Sequence, residues 1–310
     1  MLKYRSNGKL LITGEYVVLD GALALAVPSK YGQSLSIETG PEGQMNWIAY
    51  KNTGEIWFEA LLDITNPTSI IPKEIENSQV KDIEKAQTLS KILVEAQKLN
   101  PNFLNGHQGY TVETRLDFPT DWGLGSSSTL IANIAQWAEV NPYTLLWNGF
   151  TGSGYDIACA LAKHPLTYQL QGNQPRVQQM DFNPIFHKSL FFIHLNKKQN
   201  SREGIKRYKS LRKNDNTLVE KISQLTTAFL QAASLEQFEA LIEQHENYIA
   251  SAVQLESVKQ VLFSDFKCAI KSLGAWGGDF ILATGEKDYV EAYFQNRGYS
   301  TIIPYTEMVY

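Results

Sequence analysis

Up to about residue 63 the apolar positions of this chain come in strand-length runs or alternate with polar ones. From about residue 200 they recur every third or fourth residue. "KLLIT" reads as a short apolar strand. "EYVVLDGALALAVP" sets Asp20-Gly21 between two apolar runs, which predicts a hairpin. "SLSIET" alternates, and "MNWIAYKNTGEIWFEALL" reads as a second hairpin turning at Asn52-Thr53-Gly54. Residues 63–78 hold two prolines and read as a loop. Val80, Ile83, Ala86, Leu89, Leu93 and Ala96 then follow at helical spacing, and "GYTVETRLDF" alternates again.

Two glycine-rich turns come next, each opening a helix: "DWGLGSSSTLIANIAQWA" and "FTGSGYDIACALAKH". "LTYQLQ", "RVQQMDF" and "SLFFIHL" read as strands. "REGIKRYKSLRK", "TLVEKISQLTTAFLQAA", "LEQFEALIEQHENYIASAV" and "SVKQVLFSDFKCAIKSL" read as four helical segments. A glycine turn between a helix and a strand, a helix near "KDYVEAYFQNR" and the strand "YSTIIPY" finish the chain. This order predicts two α+β domains, divided near residue 180 into 1–180 and 181–310.

Composition narrows the function classes. With 310 residues, 43% apolar and 19% charged, the chain has enough apolar material for a large core. A formal net charge of -4 argues against nucleic acid or an anionic membrane as the main partner. Cys159 and Cys268 lie too far apart in sequence for a CxxC motif or a disulfide framework. "MLKYRSNGKLLITGEY" meets polar residues before any long apolar run, so neither a signal peptide nor a membrane span is expected there, and a cytoplasmic location is. The five histidines show no HxxxH spacing, and no GxSxG elbow occurs.

The chemistry concentrates in the first glycine turn. The opening amides of a helix lack intrahelical partners and carry partial positive charge, and glycine lets an anion approach them. Gly123, Leu124, Gly125, Ser126, Ser127 and Ser128 therefore read as a phosphate cradle whose serines can also face a divalent cation. The plainer alternative is a tight turn with Ser126 or Ser127 as an ordinary N-cap. The stretch lacks the Gly-Lys-Ser/Thr of a Walker A loop.

"PTDWGLGSSS", together with "GKLLITGEYVVLDG" before it and "GSGYDIACA" and "KSLGAWGGDF" after it, resembles the motifs of the GHMP kinases. This is the small-molecule kinase family named for galactokinase, homoserine kinase, mevalonate kinase and phosphomevalonate kinase. The matches run in family order across nearly the whole chain. The resemblance implies an N-terminal ATP-binding domain like ribosomal protein S5 domain 2, a C-terminal ferredoxin-like domain, and a small-molecule substrate in the cleft between them. It implies ATP and Mg²⁺ as cofactors, no nucleic acid or membrane partner, and a monomer or homodimer.

Roles for single residues follow from the same resemblance. Gly123 through Ser128 take the triphosphate, with Ser127 or Ser126 also near the metal. Asp156 is the catalytic aspartate, and Lys9 keeps it ionised and steadies developing charge. Glu15, Tyr16, Ser153, Gly154, Lys198, Ser201, Gly274, Gly277 and Gly278 fall at substrate-side positions. "GEY", "GSGYDIACA" and the "GGD" of Gly277 to Asp279 look more like phosphomevalonate kinase than mevalonate kinase. Lys197, Lys198, Arg202, Lys206 and Arg207 form a basic stretch suited to a phosphorylated substrate, or else a solvated helix face. Gly125 stands where related decarboxylases tend to have alanine.

Three departures mark the chain. Trp276 replaces a glycine of the third motif, where its ring would crowd the phosphate loop or stack on a ligand. Asp121 and Trp122 flank the ATP motif unusually. The segment between the serines and Asp156 looks shorter than in mevalonate kinase, and Glu139 is the nearest acidic residue for completing the metal site. The resemblance therefore implies a phosphomevalonate or mevalonate kinase of isoprenoid biosynthesis. The alternatives are a homoserine or sugar kinase, or a catalytically silent relative that binds nucleotide or metabolite.

Overall fold

The computed structural model of the chain describes residues 1–74, 82–212 and 216–310. In chain order the elements begin β1 (Leu2–Thr13), a 3-10 turn (Val17–Asp20), β2 (Ala24–Gly40), β3 (Gln44–Tyr50), β4 (Ile56–Asp63) and β5 (Ile71–Lys73). There follow α1 (Ile83–Leu99), β6 (Gly109–Leu116), α2 (Ser126–Ala138), α3 (Pro142–Gly149), α4 (Tyr155–Leu161), β7 (Leu166–Gln171) and β8 (Gln174–Gln179). A second 3-10 turn (His187–Ser189) leads to β9 (Leu190–His194), α5 (Ser201–Leu211), α6 (Thr217–Gln231), α7 (Leu235–Val253) and α8 (Val258–Leu262). The chain closes with β10 (Ile270–Ser272), β11 (Phe280–Thr284), α9 (Lys287–Gln295), β12 (Ile302–Pro304) and α10 (Tyr305–Met308).

Two compact units form, and each draws on separated segments. The first comprises Met1–Gly8, Tyr31–Thr120 and Leu124–Leu161. The second comprises Lys9–Lys30, Asp121–Gly123 and Ala162–Tyr310. In the first unit the strand order is β5-β4-β3-β6-β2, antiparallel except for the parallel pair β3–β6. Alternation along β3 turns Met45, Trp47 and Ala49 inward, where they join Leu35, Phe58 and Val112 under helices α1 to α4. The β3–β4 hairpin turns where expected. Gly54 takes φ +86°, and its N–H donates to the Lys51 carbonyl. Helix α1 starts at Asp82, whose side chain accepts from Lys85 N, and it stops at Asn100. Val80, expected inside this helix, lies outside the described residues.

The second unit contains a four-stranded antiparallel sheet in the order β10-β11-β9-β12. Numbered among themselves these strands run 2-3-1-4, with α5 to α8 between the first and second and α9 between the third and fourth. That is the ferredoxin-like βαββαβ plan enlarged in its first crossover. Every residue of β9 and β11 is buried. The first residues of β2 pair with β7, and β7 pairs with β8, in the same unit.

Several local expectations fail, each for an identifiable reason. Asp20-Gly21 does not turn a hairpin. It closes the 3-10 turn, with Gly21 left-handed at φ +92° and donating to the Val18 carbonyl. Val17 and Val18 are needed in the core, and Asp20 is drawn to Tyr208 and Arg212. "SVKQVLFSDFKCAIKSL" is not one helix. Ser257 and Gln260 form a capping box, but α8 ends at Leu262, and Ile270–Ser272 becomes a fully buried strand. Periodicity cannot distinguish a short buried strand from a helix. As a result the third glycine turn joins two strands, β10 and β11, rather than a helix and a strand.

Two glycines test this packing. A Cβ on Gly109 would fall 1.6 Å from the Pro41 carbonyl oxygen, whereas one on Gly149, in the last turn of α3, would meet nothing within 4 Å. Urea unfolding should show Gly149→Ala stabilised by about 0.5–1 kcal/mol. Gly109→Ala should lose about 2 kcal/mol or more.

Candidate active site

In the first unit the helix that follows the glycine-serine turn is held by a buried polar chain. Asn133 Nδ2 donates to the Gln33 carbonyl at 3.0 Å, and Ser6 Oγ donates to Asn133 Oδ1 at 2.8 Å. Thr129 Oγ1 donates to Gln33 Oε1 at 2.8 Å. These bonds tie α2 to β1 and β2 one and two turns below the helix start. The N-cap is Gly125, left-handed at φ +93°, with no side-chain cap. Ser126, Ser127 and Ser128 are the first three residues of the helix, so neither Ser126 nor Ser127 caps it. Ser128 Oγ turns back to the Gly125 carbonyl at 3.0 Å, and Ser127 is exposed. Leu124 is fully buried and anchors the turn. Glu139 is the C-cap, at the other end of a helix 13 residues and so about 20 Å long, and is out of reach of the serines.

Helix α4 packs against α2 in the same unit. Its approach is the buried pair Ser153 and Gly154, the latter at φ +90°. Asp156 sits in its first turn, half-buried, and its Oδ1 lies 3.1 Å from the Ile157 amide. Burial pushes the Tyr143 hydroxyl well above its usual range, with Cys159 and then Asp156 adding to the rise.

In the second unit Lys9, on β1, donates from Nζ to the Gly123 carbonyl at 2.8 Å. Gly123 has φ +64°, and the Asp279 carboxyl occupies the space a side chain there would need, its carbon 2.2 Å from the ideal Cβ position. Asp279 Oδ1 accepts from Gln199 N at 3.2 Å, and the Asp279 N–H donates to the Lys197 carbonyl at 2.7 Å. Burial raises the Asp279 pKa, while Lys9, Gln199 N and Lys198 oppose the rise. Trp122 packs edge-on to Phe280 at 5.3 Å, and His194 Nε2 donates to the Asp121 carbonyl at 3.2 Å. The unusual residues before the ATP motif thus anchor its entry to β9 and β11. Lys9, Gly123 and Lys198, far apart in sequence, converge on Asp279. Sequence reasoning gave Asp279 no role, although it closes the "GGD" stretch.

Glu15 and Tyr16 lie inside the second unit. Glu15 is fully buried, with Oε1 2.7 Å from Lys271 Nζ. Lys271 also reaches Glu246 Oε1 at 3.1 Å and donates to the Ser272 carbonyl at 2.6 Å. Ser272 Oγ donates to Glu246 Oε2 at 2.6 Å. The Gly14 N–H donates to His245 Nε2 at 3.0 Å, which leaves the proton of the neutral ring on Nδ1. Nothing in the periodic pattern marked His245, Glu246 or Lys271, which sit among apolar core positions. Tyr16, at φ +63°, stacks on Tyr208 with ring centroids 5.7 Å apart.

The third glycine turn carries four left-handed residues: Gly274, Trp276, Gly277 and Asp279. Gly274 and Gly277 face open space. Gly278 packs so closely that a Cβ would fall 2.6 Å from that of Gln199. Trp276 neither crowds this loop nor offers a face for stacking on a ligand. It is buried with Tyr16, Val17, Tyr208, Ile222 and Ile249. Ser201 is the exposed first residue of α5, whose cap is Asn200.

No protein-family model matches the sequence. No curated protein matches it either. Solved structures do match. A mevalonate kinase crystal structure aligns with TM-score 0.68 at 14% identity, covering 98% of each chain. The Streptococcus pneumoniae phosphomevalonate kinase, in complex with phosphomevalonate and AMPPNP, aligns with TM-score 0.68 at 15% identity over 96% of each chain. Lactococcus lactis galactokinase complexed with galactose aligns with TM-score 0.64 at 14% identity, over 97% of this chain and 93% of the other. The chain therefore has the GHMP kinase fold. Among the described residues no helix is long and apolar enough to cross a membrane.

The buried cluster has a pH signature. Burial, the dominant cause, pushes the Glu15 pKa up to about 7 against the pull of Lys271, and it also raises that of Glu246. These carboxyls contribute stability that is full below their unfolded pKa and lost as pH rises through the folded one. Burial holds His245 neutral, well below its usual range, and Lys271 adds to the effect. Its contribution is present above about pH 6.5 and lost as pH falls. The two oppose each other between about pH 5 and 6.5. His245→Gln should therefore gain stability relative to wild type as pH falls from 7 to 5, measured by urea unfolding at each pH.

Proposed function

We propose that this chain is an ATP- and Mg²⁺-dependent small-molecule kinase. It transfers the γ-phosphoryl group to a metabolite of the mevalonate branch of isoprenoid biosynthesis, with phosphomevalonate ahead of mevalonate. The observation that carries the reading is the start of α2. A left-handed glycine replaces a side-chain cap and leaves the first amides available to an anion, on a helix locked in place by buried hydrogen bonds. The fold is that of kinases, including one captured with phosphomevalonate and AMPPNP.

In this reading Gly123 through Ser128 hold the triphosphate, and backbone amides neutralise charge on the transferring group. Mg²⁺ would be held with the exposed Ser127 hydroxyl as its protein ligand and would neutralise charge on the phosphates. Among the described residues no set of three His, Cys, Asp or Glu side chains is grouped to hold a metal. Asp156 orients the acceptor and takes its proton where the acceptor is a hydroxyl. Lys9 steadies negative charge as it develops. Tyr16, Ser153, Gly154, Lys198, Ser201 and the loop glycines Gly274, Gly277 and Gly278 shape the substrate side. Glu15 acts there from the buried cluster beneath the same loops. The ATP-binding half is taken as residues 1–180.

ADP release with Mg-ATP tests the reading against mevalonate, phosphomevalonate, homoserine, galactose and other sugars. One acceptor should turn over. Asp156→Asn should lower that turnover by about 10²–10⁴-fold while ATP still binds. ATP binding without turnover on any acceptor would favour the silent relative, and no ATP binding would overturn the phosphate cradle.

A further inference from the structure

A carboxylate beside a proposed triphosphate loop needs explaining, because it would repel the ligand unless its charge were already engaged. Asp279 is placed there by unusual means. Its backbone is left-handed at φ +55°, and its N–H and C=O are bonded to the Lys197 carbonyl and the Leu195 N–H at 2.7 and 2.8 Å. Its side chain fills the site a Cβ on Gly123 would take, and it accepts from Gln199 N. Gly123 in turn presents the carbonyl that receives the Lys9 ammonium. Burial works against the Asp279 charge, and Lys9, the Gln199 N–H and Lys198 favour it.

We infer that Asp279 is a positioning residue: its carboxylate fixes Gly123 and, through that residue's carbonyl, the ammonium of Lys9. The inference rests on the kinase reading for the use made of Lys9, but the geometry it describes does not. The carboxylate supplies a fixed negative point that a mobile lysine would otherwise seek on the phosphates. The wall it forms against Gly123 admits no side chain at that position. Asparagine separates charge from shape here. It tolerates a left-handed backbone and keeps an oxygen acceptor for Gln199 N, so Asp279→Asn removes little but the charge.

Two measurements on the full chain test this. The first is the rate at which Lys9 is acetylated by brief acetic anhydride treatment, read by peptide mass spectrometry relative to the exposed Lys3. Asp279→Asn should speed labelling of Lys9 several-fold, with a thermal midpoint close to wild type. An unchanged relative rate would overturn the inference whether or not the chain turns over any acceptor. The second uses whichever acceptor the panel identifies. Asp279→Asn should lower kcat by about 10²-fold with KM for ATP changed little, the mark of a misplaced charge rather than lost binding. Wild-type kcat in that variant would show a shape-only role and sink the proposal. If wild type turns over nothing, the kinase reading fails by itself and the labelling result alone decides the role of Asp279.

Discussion

A lysine ammonium removed from water has to be surrounded by acceptors, and much of the second unit is arranged around one such group. Lys271 is fully buried in a three-residue strand, yet its three N–H donors face Glu15, Glu246 and the Ser272 carbonyl. Removing one partner from a buried ion pair of this kind costs about 3–5 kcal/mol, because the other charge is stranded. The cluster therefore constrains its neighbours more than it stabilises the fold. Glu15 fixes the end of β1, Gly14 is held by His245, and Ser272 is tied to α7 at the point where the chain enters the third glycine turn. Two loops expected to serve a substrate are thereby set from beneath by one charge.

The glycine turns follow a second constraint, that of positive φ. Gly14, Gly21, Gly123, Gly125, Gly154, Gly274 and Gly277 all adopt it. At Gly123 and Gly278 close approach adds to the requirement, since Asp279 and Gln199 occupy the space of a side chain. Tyr16, Trp276 and Asp279 bear the same backbone strain without being glycine. Each is over-determined by its surroundings: Tyr16 and Trp276 by the helix cluster they share, Asp279 by its bonds to residues 195–199.

The GHMP kinase fold at 14–15% identity shows how little of a fold depends on particular side chains. Here the same plan is filled with a local set of polar ties, Ser6–Asn133–Gln33–Thr129 in one unit and Lys9–Gly123–Asp279 in the other. The residues before the ATP motif illustrate this. Trp122 and Asp121 depart from the family pattern, and their contacts with Phe280 and His194 make them an anchor for the loop entry.

Patterns carried within a few residues were legible in the sequence. The alternation of β3 and β4, the turn at Gly54, the long helices α6 and α7 and the glycine-serine helix start all follow from local periodicity and backbone freedom, which a linear chain displays directly. The motif order was likewise sufficient to identify the fold class. Tertiary contact alone decided the rest. It turned Asp20-Gly21 into the close of a 3-10 turn, because Val17 and Val18 had a core to enter. It cut the expected fourth helix short, because Ile270–Ser272 pairs with β11. It also buried Glu15 and Lys271 against each other across 256 positions and brought Lys9, Gly123 and Asp279 together. Burial and charge pairing are properties of what surrounds a residue in space, and no spacing along the chain encodes them.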